Sequence, residues 1–253
     1  MTKEIEALLE KIKQNSLFEK YPLYFSGGTA LSTYLDHRVS YDIDFISAVK
    51  LPTAEIEAFA FSVGAMPVAD RAKASAFRIN KGEDLTHYHL KFMRDGVKIE
   101  FSYFDDPLIN VILEQATFQE YDEGKLRILS LKDIVKLKAI ALFSRQKARD
   151  LYDMTIILEH ALITMKELER IYAFKRAGER TLLEYLQSFD YRQDDDGDTS
   201  LDFLPHHKHY RTFSKLAQDE RFNQCKEMLL SQYEIKQKEK LNEKKREVFL
   251  WKK

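Results

Sequence analysis

One cysteine, Cys225, stands in 253 residues. That count excludes an intrachain disulfide framework and a multi-cysteine zinc site, and it fits a reducing cytosol. An excess of one charge is also missing, since 40 Lys and Arg face 41 Asp and Glu for a formal net charge of −1. No global field draws the chain to nucleic acid, so any such contact needs a local basic patch. No apolar run approaches the roughly 18 residues of a membrane span. The opening Met-Thr-Lys-Glu-Ile-Glu is charged and carries no apolar signal core. A cytoplasmic protein without a membrane partner is the expectation. There is no internal repeat and no Gly-x-x-x-x-Gly-Lys-Ser/Thr string, which argues against a P-loop NTPase. With 44% hydrophobic and 32% charged residues, the composition is that of a soluble chain able to bury a large core, as one domain or two.

Two patterns divide the chain. Residues 3–14 have Ile5, Leu8, Leu9 and Ile12 at helical spacing. A short strand over 23–26 follows Pro22, then a helix over 29–35, a strand over 41–46, and a helix from Pro52 to about Val63. Three strands are expected next, at 75–80, 86–93 and 97–103, with Asp95-Gly96 as a hairpin turn. From Pro107 onward the pattern is helical, at 107–116, 131–145, 149–161, 165–175, 178–188 and about 220–247, apart from a short strand near 125–129. The expected fold class is α+β: a mixed sheet flanked by helices over 1–130, then an all-helical region over 131–253, the two halves sharing one cleft.

The densest chemistry lies at residues 25–45, Phe-Ser-Gly-Gly-Thr-Ala-Leu-Ser-Thr-Tyr-Leu-Asp-His-Arg-Val-Ser-Tyr-Asp-Ile-Asp-Phe. Gly27 and Gly28 let backbone come close to a ligand, and the N–H groups opening the next helix suit phosphate oxygens, with Ser26 or Thr29 supplying a hydroxyl. Asp42 and Asp44 lie two apart on a strand, so both carboxylates leave one face, roughly 7 Å apart at the backbone. Such a pair suits two divalent ions about 3.5–4 Å apart, as in two-metal phosphoryl chemistry. A phosphate cradle beside a metal clamp points to transfer from a nucleoside triphosphate. Glu100, on the polar face of the alternating strand Val97–Tyr103, is the candidate third carboxylate; its bland alternative is an exposed acid.

A second constellation lies further along. On the helix from Leu131, Lys138 falls within the apolar stripe of Leu131, Ile134, Val135 and Leu142, and Arg145 continues that face. A core-facing lysine needs a partner, either a triphosphate or a buried carboxylate. Asp150 and Asp153 share a face in the next helix, and first-turn acids also suit the helix dipole without any ligand.

The segment from Gly27 to Phe45, with His37-Arg38-x-Ser40-x-Asp42-Ile43-Asp44-Phe45, resembles the signature of DNA-polymerase-β-type nucleotidyltransferases. More specifically it is similar to the abortive-infection nucleotidyltransferase toxin family of the AbiEii/AbiGii type. The string Lys138…Lys147-x-Arg149-Asp150-x-Tyr152-Asp153 resembles that family's second motif. Together the two cover residues 23–47 and 130–159. The resemblance implies nucleotide binding and activity for Lys138, Lys147, Arg149, Asp150 and Asp153. It implies Mg2+ or Mn2+ at Asp42 and Asp44, with Glu100 standing where the wider superfamily more often has aspartate. It further implies an NTP such as ATP or GTP as substrate, a tRNA 3′ end or other RNA as acceptor, and a bacterial toxin–antitoxin or phage-defence role with a cognate antitoxin.

Other features carry less. His206-His207-Lys208-His209 beside Pro205 reads as a solvated loop. The run Asp194-Asp195-Asp196-Gly197-Asp198 lacks the ligand spacing of an EF-hand. The Lys-rich tail from Tyr233 interleaves glutamates and reads as a solvated helix before an RNA-binding arm. Two rival functions stay open on the sequence alone. One is an enzyme nucleotidylating a protein or small molecule; the other is a nucleotide-binding or protein-interaction module without catalysis.

Overall fold

The computed structural model describes residues 1–145, 147–176, 178, 180–189 and 215–250, with backbone alone at 148, 215–222 and 241–250. The acidic run at 194–198 and the histidine cluster at 206–209 lie outside the described residues. Two units emerge, dividing after Ile134.

The first unit is built on a seven-stranded mixed sheet. Its strands are β1 (Leu23–Ser26), β2 (Asp42–Ser47), β3 (Met66–Pro67), β4 (His89–Arg94), β5 (Val97–Tyr103), β6 (Phe118–Glu120) and β7 (Arg127–Leu129), in the order β3-β4-β5-β2-β1-β7-β6. β2 runs parallel to β5 and β1 parallel to β7, while the remaining neighbours are antiparallel. Period-2 alternation sends Phe25, Phe45, Ile43, Ile99, Phe101 and Phe92 to one face, where all are buried. Phe45 and Phe101 stack with centroids 4.7 Å apart. Helix α2 (Leu17–Lys20) adds Phe18, 5.0 Å from Phe45, and α4 (Thr53–Ser62) adds Phe59, 6.0 Å from Phe101. This aromatic core holds the middle strands rigid beneath their polar face. Helix α1 (Lys3–Ile12) buries the four apolar positions read from its spacing.

One expected strand is a helix. Residues 75–80 belong to α5 (Arg71–Lys81), capped by the Asp70 side chain on the Lys73 N–H and ended by left-handed Gly82. Alternating Phe77 and Ile79 suggest a strand, but three alanines with Arg and Lys give strong helix propensity, and no residue of this helix is buried. Residues 85–87 form a 3-10 turn capped by Asp84, so the following strand starts at His89. The Asp95-Gly96 turn is as read, with positive φ at both residues. Between β1 and β2 in the chain lies α3 (Gly27–Leu35), and α6 (Pro107–Glu114) starts on an Asp106 cap with proline in its first turn.

Helix α7 (Leu131–Ser144) carries the chain into the second unit. There α8 (Ala148–Glu159), α9 (Met165–Lys175), α10 (Leu182–Gln187) and α11 (Lys215–Leu250) are all helical. Phe143, Tyr172, Tyr185 and Phe189 form its aromatic centre, and the Tyr185 hydroxyl donates to the Leu142 carbonyl at 2.7 Å. On α11, Lys236 and Lys240 both pair with Glu169, so these two lysines of the tail are engaged within the fold. No helix among the described residues is long and apolar enough to cross a membrane.

Candidate functional site

The sheet's polar face arranges the first motif by register. Ser26, Asp44, Glu100 and Lys91 stand opposite one another across β1, β2, β5 and β4. In the adjacent row Asp42 stands opposite Lys98, and one step beyond Glu100 Ser102 stands opposite His89. Residues opposite in register share a face and are about 4.5–5.5 Å apart at Cβ. Strand pairing alone therefore sets the three expected carboxylates on one face of the sheet, in adjacent rows.

Their electrostatics are local. The Lys98 ammonium lies 2.8 Å from Asp42 Oδ2 and 3.7 Å from Glu100 Oε1, while Lys91 Nζ is 4.0 Å from Glu100 Oε1. Burial opposes the charge on Lys98. The hydrogen bond with Asp42 and the fields of Glu100, Asp42 and Asp44 outweigh it, holding the ammonium above the ordinary lysine pKa. His89 Nδ1 is 3.2 Å from the Ser102 hydroxyl, and burial leads the effects that lower its pKa.

The Gly-Gly turn is fitted to these acids. Gly27 has φ +76°, and a Cβ there would lie 2.1 Å from Asp44 Oδ2. At Gly28 a Cβ would lie 2.6 Å from Arg38 Nη2 and 3.0 Å from Ser40 Oγ. Both positions need glycine because side chains of the motif itself fill the space a Cβ would take. Thr29 is fully buried and its hydroxyl donates to the Asp42 carbonyl, tying α3 to β2. Ser26, at the start of α3, makes no side-chain cap. His37, Arg38 and Ser40 are all buried, so the polar string between the glycines and aspartates is part of the interior.

The second motif forms a separate pair of ion pairs within the second unit. Lys138 is buried, as its place in the apolar stripe requires, and its Nζ is 2.7 Å from Asp153 Oδ2. Of the two partners its burial allows, the carboxylate is present. Arg145 grips Asp150 with two bonds, Nε to Oδ2 at 2.7 Å and Nη2 to Oδ1 at 3.0 Å. Both aspartates are fully buried. Lys147 is the N-cap of α8 by backbone, and Arg149 is half-buried in its first turn.

Lys98 is the residue that reading the sequence passes over. It sits two positions before Glu100 on the same polar face, and the alternation that selects Glu100 selects it equally.

The mixed sheet sets the Asp-x-Asp strand β2 beside β1, whose end at Ser26 leads into the Gly-Gly start of α3, and this is a nucleotidyltransferase fold. The chain belongs to the family described as nucleotidyl transferase AbiEii toxin, type IV TA system, whose model matches residues 8–237. A protein of Aquifex aeolicus (strain VF5), aq_aa25, is 27% identical over 172 residues, 68% of this chain and 73% of that one. Similar solved structures include one from H. pylori assigned provisionally as a nucleotidyltransferase, at TM-score 0.48 and 17% identity over 92% of this chain and 98% of that one. Another is the nucleotidyltransferase toxin MenT4 of Mycobacterium tuberculosis H37Rv, at TM-score 0.37 and 16% identity over 82% of this chain and 75% of that one.

Proposed function

We propose that this nucleotidyltransferase toxin moves a nucleoside monophosphate from an NTP to an RNA acceptor, a tRNA 3′ end being the type case, with a divalent metal at the sheet row. The observation that carries the reading is the register of Asp44 with Ser26 and Glu100, with Gly27 packed against the Asp44 carboxylate.

The donor set fits a hard divalent cation. Asp42, Asp44 and Glu100 supply only carboxylate oxygens, the ligands Mg2+ and Mn2+ prefer. The Lys98 ammonium already sits among them as a stand-in cation, 2.8 Å from Asp42 and 3.7 Å from Glu100. Among the described residues no three His, Cys, Asp or Glu side chains are drawn together as a ready-made cage. Lys98 instead lies between Asp42 and Glu100. Asp42 and Asp44, helped by Glu100, would hold Mg2+ or Mn2+, which when bound supplies charge neutralisation at the α-phosphate and leaving pyrophosphate.

The chain's own groups do the rest. Gly27 and Gly28 admit phosphate oxygens to the backbone N–H groups opening α3, with the Ser26 hydroxyl alongside. Thr29 keeps Asp42 at a fixed height through its bond to the Asp42 carbonyl. Glu100 would accept the acceptor hydroxyl's proton. In the second motif, Asp150 orients Arg145, whose side chain remains 43% exposed and within reach of an anion, and Asp153 holds Lys138. Lys147 and Arg149 add cationic character at the start of α8. The family's toxin–antitoxin designation supports a cognate antitoxin protein as partner.

The test is incubation with bulk tRNA and each α-labelled NTP, with Mg2+ and with EDTA. Label should enter RNA with one nucleotide, vanish with EDTA, and fall at least ~1,000-fold in Asp44→Ala, because the metal clamp supplies several kcal/mol and each 1.36 kcal/mol is about tenfold. Unchanged labelling by a folded Asp44→Ala protein would defeat the mechanism. Label on protein alone would replace the acceptor and keep the chemistry.

A further inference from the structure

Lys98 is more than a neighbour of the acids, and the role assigned to it rests on the metal reading of the sheet row. The parallel pairing of β2 and β5 fixes Lys98 opposite Asp42, so its place is set by two central strands. Its ammonium reaches both Asp42 and Glu100, at 2.8 and 3.7 Å. A carboxylate oxygen engaged this way by a cation cannot also approach Mg2+ at about 2.0–2.1 Å without setting two positive centres against each other. We infer that Lys98 is an exchangeable counter-ion of the carboxylate row, holding Asp42 and Glu100 until a divalent cation displaces it, and so setting the metal concentration at which the site loads.

Three features suit it to exchange. A lysine carries a point charge on a flexible four-carbon stem, which can swing away without breaking a fixed fork of bonds. The Lys98 side chain keeps 14% of its surface exposed, a route by which its ammonium can reach water when it leaves. Asp42 and Glu100 keep 20% and 22% of their side-chain surface exposed, so water can replace the ammonium while the ions exchange. A purely structural lysine would act in the opposite direction. Its removal would scatter the acids and weaken metal binding, whereas removal of a competitor strengthens it.

That difference of sign is the test. Mn2+ binding is measured by the loss of the free-ion electron paramagnetic resonance signal at fixed pH, for wild type, Lys98→Met, Lys98→Arg and Asp44→Asn. Circular dichroism confirms that each variant is folded, and Lys98→Gln replaces Lys98→Met if the latter is not. Lys98→Met should bind Mn2+ about fivefold or more tightly than wild type, the lower end of ordinary coupling between two sites. Lys98→Arg, whose planar fork grips carboxylates more firmly, should bind Mn2+ no more tightly than wild type, and Asp44→Asn should lose binding. Unchanged or weaker affinity in folded Lys98→Met, with Asp44→Asn still losing metal, overturns the counter-ion role and leaves the metal site standing. Absence of saturable binding in both wild type and Lys98→Met overturns the metal site itself, and this inference with it.

Discussion

Each half of this chain pairs lysine with aspartate, and the two pairs are built differently. On the sheet, Lys98 and Asp42 keep 14% and 20% of their side-chain surface exposed. On the helices, Lys138 keeps 8% and Asp153 none. Water reaches the first pair, so its counter-ions can be exchanged for others. In the second pair Asp153 has no exposed surface, so losing Lys138 would take a direct counter-ion from a carboxylate held wholly within the fold. An ion pair's exposure therefore separates a group that can take part in ligand exchange from one committed to the fold.

The strongest way to break this comparison is Lys138→Met. Leaving Asp153 fully buried without its cation should cost about 3–5 kcal/mol in urea unfolding. The double variant Lys138→Met, Asp153→Leu should recover much of that, since two apolar groups replace the pair. Lys98→Met should cost only roughly 1 kcal/mol, because Asp42 retains solvent. Equal losses from the two methionine variants would erase the distinction.

Glycines sharpen it further. Gly27, Gly64 and Gly96 all have positive φ, but only Gly27 has anything within 4 Å of an added Cβ, and that is the Asp44 carboxylate. Gly64→Ala and Gly96→Ala should each cost about 1 kcal/mol for the backbone alone. Gly27→Ala should cost about 1–2 kcal/mol more and displace Asp44, so activity should drop far beyond what lost stability accounts for. Parity of Gly27→Ala with the two controls, in both readouts, would detach the glycine from the acid.

How much of this is legible in the sequence depends on whether a signal is local. The Gly-Gly turn, the Asp-x-Asp strand, the Asp95-Gly96 hairpin and Lys138 on an apolar stripe are all local patterns of period or turn chemistry. Alternation finds Glu100, but that it faces Asp44 depends on β2 pairing in parallel with β5 across more than fifty residues, which no local pattern states. The same holds for Lys98, and for Asp153 as the partner of Lys138. Residues 75–80 read as a strand because Phe77 and Ile79 alternate, while the helix there rests on Asp70, Gly82 and alanine propensity. A helix with no buried face gives the hydrophobic pattern nothing to report.

The smallest effect concerns His89, at the end of the sheet's polar face. Burial lowers its pKa first, Glu100 opposes, and Lys73, Lys91 and Lys98 lower it further. The folded value therefore lies below the unfolded value of about 6.5. Its contribution to stability is complete above that value and is lost as pH falls through it toward the folded pKa. Unfolding free energy should decline as pH falls below about 6.5, and His89→Gln should remove under ~1 kcal/mol of that decline. Histidine NMR titration then ties this group to the row. Lys98→Met takes away one of the three cations that depress His89, so the His89 midpoint should rise, identified by its absence in His89→Gln. The Lys138→Met variant, altering the committed pair, should leave that midpoint where it was. A His89 midpoint indifferent to Lys98 would mean that the exchangeable charges of the sheet act on each other only through direct contact.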